Sequence, residues 1–424
     1  MKKVCICTLG CRVNQYESVS IAEALQENGF VVTKDEENCD YYLLNTCSVT
    51  GESQRQSRQL ARRFALRGKV AVIGCASQNQ KEDFLSIPGV FYVGGCGDKL
   101  AVVSAIAGDL AGDHVTSMEN VLYEPMSVRG KSDLFSTCRA YIKIQDGCSG
   151  KCTYCIIPTL RGKTRSRDGE EILAEASRLV KAGYREIVLT GIETSAYNKL
   201  PLGELISRLG DLREDGLLRV RLGSLSIGSL TPSFLETIGN TPNFMPHLHL
   251  SLQSGSTPVL RRMMRPYTAE AAMEKILLLK ETLPRFQLSA DFITGFPGET
   301  EEDYLATEAF VRKAGMMHIH AFPYSEREGT PAAEMEDAIP KEIRKSRCAR
   351  LNAVSAELKK EIMDSFTGKT VHVLTEKIKN GVATGHTEEF MECTFPAESA
   401  AVGEVTEVTV LGNEKGRLTG NERK

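Results

Sequence analysis

The sequence predicts an α/β protein in three parts. These are an N-terminal parallel α/β unit, a central partial (β/α)6 barrel, and a small C-terminal antiparallel β-barrel. Three observations carry this. Strand-like and helix-like segments alternate over roughly the first 100 residues, which implies a parallel sheet covered by helices. The alternation restarts with a longer period after Arg139. The last 60 or so residues are short β-branched runs broken by Gly, Asn and charged turns, the pattern of a small barrel. A chain of 424 residues accommodates several domains of about 100–200 residues. The boundaries are placed at 1–115, a linker at 116–137, 138–365 and 366–424.

In the first part, Val4–Thr8, Tyr41–Asn45 and Lys69–Ile73 read as strands, and Glu17–Glu27 and the Arg-rich Glu52–Leu66 as helices. Gly94-Gly95 and the stretch from Ala107 to Asp113 read as turns and loop. The linker carries at most one strand. In the central part, Ala140–Ile144, Glu186–Thr190, Arg219–Leu222, His247–Leu252, Leu288–Thr294 and Met317–Phe322 are strand candidates. Helical stretches Glu170–Lys181, Leu202–Leu212, Thr231–Ile238, Thr268–Glu281 and Glu301–Lys313 lie between them. Six such units are two short of a complete eight-fold barrel. Lys341–Ser365 reads as a closing helix. Thr370–Glu376, Gly381–Thr387, Met391–Phe395, Gly403–Val410 and Arg417–Gly420 supply the last barrel.

Composition is that of a globular protein, with 42% hydrophobic and 25% charged residues. No stretch approaches the roughly 20 apolar residues needed to span a bilayer. The apolar run in Met1–Cys7 is too short for a secretory signal, which places the protein in the cytoplasm with no membrane partner. Net charge is −3, so any affinity for nucleic acid must come from local basic patches. Thirteen cysteines, an odd number, argue against a disulfide framework.

Cysteine spacing is the strongest signal. Asp146-Gly147-Cys148-Ser149-Gly150-Lys151-Cys152-Thr153-Tyr154-Cys155 has C-x3-C-x2-C spacing directly after a strand. Three thiolates this close fit three corners of a cubane iron–sulfur cluster, with glycines letting the loop wrap it. The fourth iron is left open, and an open metal position is where a substrate or cofactor binds. A structural zinc site is the alternative, but zinc usually takes four protein ligands and the loop holds no fourth Cys or His. Cys11, Cys47 and Cys75 each lie just past the carboxyl end of a strand. In a parallel sheet those ends share one edge, so the three can converge on a second cluster; three buried core cysteines are the plain alternative. Cys5, Cys7, Cys39, Cys96, Cys138, Cys348 and Cys393 are read as structural.

Together these motifs resemble the methylthiotransferase family of radical S-adenosylmethionine enzymes, over essentially the whole chain. The family's three N-terminal cysteines match Cys11, Cys47 and Cys75, and its radical-domain motif matches Cys148, Cys152 and Cys155. Gly381-Val382-Ala383-Thr384-Gly385-His386-Thr387 resembles its C-terminal TRAM domain. Thr8-Leu9-Gly10-Cys11-Arg12-Val13-Asn14-Gln15-Tyr16-Glu17-Ser18 is similar to the MtaB-like branch, with Arg12 where Lys is commoner. That branch acts on threonylcarbamoyladenosine beside the anticodon, at position 37 of tRNA.

The resemblance implies two [4Fe–4S] clusters and S-adenosylmethionine as cofactors, the tRNA anticodon loop as partner, and a reductant such as flavodoxin or ferredoxin. No motif names the sulfur donor. It implies a radical that takes hydrogen from C2 of the adenine, with the added sulfur held at the N-terminal cluster. Tyr154 would lie against the cofactor's adenine. Gly191 and Glu193 would meet its amino group, although the family more often has Asn where Glu193 stands. Ser251 and Gln253 would reach ribose or carboxylate oxygens, and Ile293 and Gly295 would pack on the adenosyl group. Arg161, Lys163, Arg165 and Arg167 alternate after the cluster loop, so an extended chain would turn them to one side as an RNA phosphate contact. Arg55, Arg58 and Arg62, and Arg261, Arg262 and Arg265, are lesser basic groups. Isopentenyladenosine or a ribosomal protein as substrate, another radical reaction, and a zinc-stabilised RNA-binding protein remain the rival readings.

Overall fold

The computed structural model describes residues 1–119, 123, 126–130 and 138–423. The strand allowed for in the 116–137 linker falls partly outside the described residues.

The N-terminal unit is a parallel sheet of β1 (Lys3–Thr8), β2 (Val31–Thr33), β3 (Tyr41–Thr46), β4 (Lys69–Gly74), β5 (Val90–Gly94) and β6 (Gly112–His114), in the order β2-β1-β3-β4-β5-β6. Every residue of β3 is buried, as expected of a central parallel strand covered on both faces. Helix α1 (Arg12–Glu27) turns Val13, Tyr16, Ile21 and Leu25 inward. Helix α2 (Gly51–Ala65) is capped by the Thr50 hydroxyl, which accepts from the Ser53 amide. Gly112–His114, expected as loop, is a short edge strand. It pairs with β5 through register that only tertiary context supplies.

The central unit begins with β7 (Arg139–Lys143). A two-stranded antiparallel ribbon, β8 (Gln145–Asp146) and β9 (Arg165–Ser166), brackets the cysteine loop. Then come β10 (Glu186–Thr190), β11 (Arg219–Leu222), β12 (Ser224–Leu225), β13 (His247–Gln253), β14 (Gln287–Thr294) and β15 (His318–Pro323). The sheets β11-β10-β7 and β12-β13-β14-β15 are parallel throughout. Only Gly223 separates β11 from β12, so the two sheets form one open six-unit arc, as the sequence predicts. Helix α1 packs against β7, and Tyr16 ties it there by donating to the Met126 carbonyl at 2.7 Å.

The long helix Lys341–Asp364 leads to the last unit, β16 (Thr370–Lys379), β17 (Val382–Thr387), β18 (Glu392–Pro396), β19 (Val405–Glu414) and β20 (Arg417–Glu422). These close into a barrel in the order β16-β17-β18-β20-β19. The barrel docks on the amino-terminal ends of the arc strands. Arg219 donates to the carbonyls of His386 and His372 at 2.8 and 2.9 Å. Arg221 donates to those of Thr387 and Glu388 at 2.8 and 2.9 Å. Glu186 counters Arg139 and Arg221, so these buried cations are paired and hydrogen-bonded, as burial of charge requires. Phe390 stacks on His386 and His247, with ring centroids 4.7 and 5.2 Å apart. Among the described residues, no helix is long and apolar enough to cross a membrane.

Candidate active site

The cysteine loop is built by its glycines and by two N–H donors aimed at sulfur. Gly147 has φ +68°, and a Cβ there would come within 2.2 Å of the Lys163 carbonyl oxygen. The Gly150 amide donates to Cys148 Sγ at 3.3 Å. Arg265 donates to Cys152 Sγ at 3.3 Å and to the Ser251 carbonyl at 2.8 Å. All three thiols are half-buried. Burial pushes the Cys155 thiol up to about 12 and raises that of Cys148. Neutral thiols are the ordinary state of such a pocket, and a bound metal reverses it by taking the thiolate. Converging sulfurs with N–H groups pointed at them are what a cluster's anionic sulfurs need, so the loop fits a cubane.

The second set forms because β1, β3 and β4 are neighbours, which puts Cys11, Cys47 and Cys75 at adjacent strand ends. Gly10 lets the chains approach: a Cβ there would sit 2.5 Å from Cys47 Sγ. Cys47 is pushed up to about 11 by burial. Cys75 goes the other way, to about 5, because the Cys96 thiol and then Arg161 favour its thiolate. Cys96 Sγ lies 3.7 Å from Cys75 Sγ, and Arg161 Nε donates to Cys75 Sγ at 3.3 Å. Cys96 is therefore more than core filler. It follows β5 just as the other three follow their strands, a signal missed because β5 was not read from the sequence.

Arg161 is the centre of a buried charge network. It donates to Asp146 at 2.9 Å, Glu17 at 3.2 Å and Asn14 at 2.8 Å. Lys99 pairs with Glu17, and Lys143 with Glu17 and Asp146 at 3.1 and 3.2 Å. With Arg165 at 3.9 Å from Asp146, four cations face two carboxylates, leaving an excess of positive charge near Cys75. Three thiolates on a cluster supply the missing negative charge, so this set fits a cluster too.

The same geometry corrects the expected RNA face. Arg161 and Arg167 point inward, 0% and 5% exposed. Arg161 ends a helical turn (Ile157–Arg161) and Gly162, at φ +69°, breaks the chain direction, so extended alternation does not apply. Arg167 pairs with the buried Glu175 and reaches Tyr16 Oη at 3.3 Å. Lys163 is exposed, and Arg165 is half-buried, donating to the Arg161 and Lys163 carbonyls.

One cavity of about 1160 Å³ joins the two halves. Its lining includes Cys11, Arg12 and Cys47 from the N-terminal unit, and Thr190, Gly191, Gly223 and Ser224 at the carboxyl ends of arc strands. Its wall carries His249, Asp291 and His320. Parallel register sets these side by side: Asp291 pairs with His320, and Ser289 with His249. His249 Nε2 lies 3.1 Å from Asp291 Oδ2, and its Nδ1 lies 2.8 Å from Ser289 Oγ.

The other anticipated residues are distributed as follows. The Glu193 amide donates to Gln145 Oε1 at 2.8 Å, and burial raises its carboxyl. Gln253 has φ +70° at a register shift in β13. Ser251 gives its carbonyl to Arg265 and Tyr267. Tyr154 and Ile293 pack on one apolar cluster with Val259, Met263, Phe296 and Tyr324. Gly295 is pressed on Arg344, where a Cβ would meet Cγ at 2.4 Å. Sequence reasoning gave no role to the His249–Asp291–His320 wall or to Arg12 in the cavity, and grouped Arg265 with RNA contacts rather than with Cys152.

An open α/β arc, a three-cysteine loop at its carboxyl edge and a second three-cysteine set at adjacent strand ends of the N-terminal sheet define a radical iron–sulfur enzyme of two clusters. Residues 142–311 match the radical SAM superfamily, and residues 3–94 match the uncharacterized protein family UPF0004. The chain is 36% identical to a threonylcarbamoyladenosine tRNA methylthiotransferase MtaB of Bacillus subtilis, over 97% of this chain and 94% of the relative. It is 35% identical to that of Thermotoga maritima, with the same coverage. It is 31% identical to a tRNA-2-methylthio-N(6)-dimethylallyladenosine synthase of Staphylococcus haemolyticus, over 97% of this chain and 83% of the relative. The radical SAM methyltransferase TsrM of Kitasatospora setae shares the fold, with a TM-score of 0.57 at 14% identity, over 91% of this chain and 81% of that one. The chain belongs to the methylthiotransferase family of radical SAM enzymes, whose cofactors are S-adenosylmethionine and [4Fe–4S] clusters.

Proposed function

We propose that this enzyme adds a methylthio group to C2 of N6-threonylcarbamoyladenosine at position 37 of tRNA, in the cytoplasm. The observation that carries the proposal is a cavity lined by Cys11, Arg12 and Cys47 of the N-terminal unit and by the carboxyl ends of arc strands, with charged and imidazole side chains in its lining. A dimethylallyl substituent gains by entering apolar surroundings. The lining combines apolar Val49, Phe322 and Pro323 with His249, Asp291, His320 and Arg12, and the polar members suit a substituent carrying amide, hydroxyl and carboxylate groups. The MtaB names of the relatives point the same way.

Cys148, Cys152 and Cys155 would hold the cluster that binds S-adenosylmethionine, and Cys11, Cys47 and Cys75 the second. When bound, the first would supply one-electron cleavage of the cofactor and the second would hold the sulfur to be added. The chain's own part is to position and enclose. Arg265 steadies Cys152, and Tyr154, Gly191, Glu193, Ser251, Gln253, Ile293 and Gly295 form the shell proposed for the cofactor. Exposed Lys163 and the cavity-lining Lys341 and Lys345, with Arg165, are proposed to meet tRNA phosphates, which take Lys and Arg without regard to sequence. Unpaired loop bases are what proteins read in RNA, and an anticodon-loop adenosine enters such a cavity without melting a helix. A flavodoxin or ferredoxin is proposed as electron donor.

The test is nucleoside mass spectrometry after anaerobic reaction with S-adenosylmethionine, reductant, sulfide and tRNA bearing threonylcarbamoyladenosine. A methylthio mass gain on that nucleoside supports the proposal. A gain on isopentenyladenosine alone overturns the substrate and leaves the chemistry.

A further inference from the structure

Arg12 is a cation without an anion. It opens α1 directly after Cys11 and lines the cavity. Its guanidinium carbon lies 5.8 Å from the ring centroids of both Tyr141 and Phe390. No hydrogen bond or ion pair joins it to any side chain or carbonyl among the described residues. Aromatic faces hold a guanidinium in place and leave its N–H edge unspent.

The surrounding charges are otherwise engaged. Asp291 faces His249 at 3.1 Å. Arg139 and Arg221, which also lie over the Phe390 ring, are held by Glu186 and by backbone carbonyls. His320 stands edge-on to His318 at 4.3 Å and to His249 at 5.5 Å. These imidazoles can donate or accept but bring no carboxylate to Arg12. A half-buried guanidinium at the wall of a cavity, with no partner among the described residues, has its N–H edge open to a ligand.

We propose that Arg12 is the specificity-determining residue that takes the carboxylate of the substrate's N6-acyl substituent. This rests on the threonylcarbamoyladenosine reading above. The planar fork of the guanidinium matches a carboxylate with two parallel N–H···O bonds. Tyr141 and Phe390 hold the fork between them, and the cavity-lining His320 is available for the substituent's hydroxyl or amide groups. A substrate with an uncharged hydrocarbon tail would cover Arg12 without pairing it, so the same residue that attracts one adenosine rejects the other.

The test uses the two-cluster enzyme under anaerobic conditions and two synthetic anticodon stem-loops. One bears threonylcarbamoyladenosine; the other bears the same nucleoside with its carboxylate replaced by a carboxamide. Affinities are read by fluorescence anisotropy and products by mass spectrometry. The wild type is expected to prefer the carboxylate by about tenfold or more, equal to about 1.4 kcal/mol. Arg12→Gln is expected to bring the ratio to about one with iron content intact, and Arg12→Lys, a point charge without the fork, to an intermediate value. A wild type that methylthiolates threonylcarbamoyladenosine but binds both RNAs equally overturns the role of Arg12 and leaves the substrate reading standing. So does an Arg12→Gln enzyme that keeps its iron and the full preference. A wild type that methylthiolates only isopentenyladenosine overturns the substrate reading itself, and this role with it.

Discussion

Replacing Arg161 tests whether the buried charge network fastens the two cysteine units together. Arg161 is fully buried and bonds Asp146 from the radical loop's strand, Glu17 and Asn14 from α1, and Cys75. Arg161→Met keeps much of the bulk and removes the charge. The network loses the cation that bonds both Glu17 and Asp146, and Cys75 loses its N–H donor. Breaking a buried ion pair by removing one partner costs about 3–5 kcal/mol. At about 2–4 °C per kcal/mol for units of this size, the melting temperature should fall by roughly 6–20 °C. The effect carries a pH signature. Burial alone would raise the Glu17 carboxyl, but Arg161, Lys99 and Lys143 outweigh it and hold it at about 2. A carboxyl lowered on folding contributes stability that is complete above its unfolded value and lost as pH falls through the folded one. The deficit of the variant should therefore be full at pH 7 and shrink below about pH 4.5. Anaerobic circular-dichroism melts, with iron content read in parallel, make the measurement. A melt within about 2 °C of wild type at pH 7, with full iron, would refute the reasoning.

Other expectations follow from the same geometry. Cys148→Ala should abolish S-adenosylmethionine cleavage. Cys11→Ala should retain some cleavage but form no methylthio product, with about four of eight irons left in each variant; full methylthiolation by Cys11→Ala would remove the second cluster from the scheme. Gly147→Ala places a Cβ 2.2 Å from the Lys163 carbonyl at a φ of +68°, so radical-loop iron should fall while N-terminal iron persists by Mössbauer spectroscopy. Phe390→Ala removes the stack on His247 and His386. Limited proteolysis should then release the C-terminal barrel faster, and equal rates would show that the docking arginines suffice.

The fold was legible where period and punctuation agree. The arc strands and the five C-terminal strands appear close to their expected positions, because buried parallel strands are continuous apolar runs and the small barrel's turns carry Gly and Asn. The placement of the two cysteine sets was legible for a related reason: Cys11, Cys47 and Cys75 each follow a parallel strand, whose ends share an edge, and Cys148, Cys152 and Cys155 lie in one loop by their spacing. Direction of side chains was not. Arg161, Lys163, Arg165 and Arg167 alternate in sequence, but one helical turn and one left-handed glycine send the first inward, and buried Glu175 draws in the last. A basic run looks the same whether its partners are phosphates or carboxylates over 140 residues away, such as Glu17. Arg265 shows the same limit, since its partner Cys152 lies far upstream.

The three units are not separable in function, and the cavity shows why. Its lining includes Cys11 and Arg12 from the first unit and His249, Asp291 and His320 from the second, and its Arg12 rests on Phe390 from the third. Phe390 holds a φ of +70°, a conformation a bulky residue adopts only where its surroundings enforce it. Here they are the stacked His386 and His247 and the guanidinium of Arg221 at 4.9 Å. A C-terminal barrel serving only as an RNA-binding appendage would have no reason to hold a strained aromatic against a cavity-lining arginine. Its docking sets Phe390 against the Arg12 guanidinium, so the barrel's position bears on a cavity to which it contributes no cysteine.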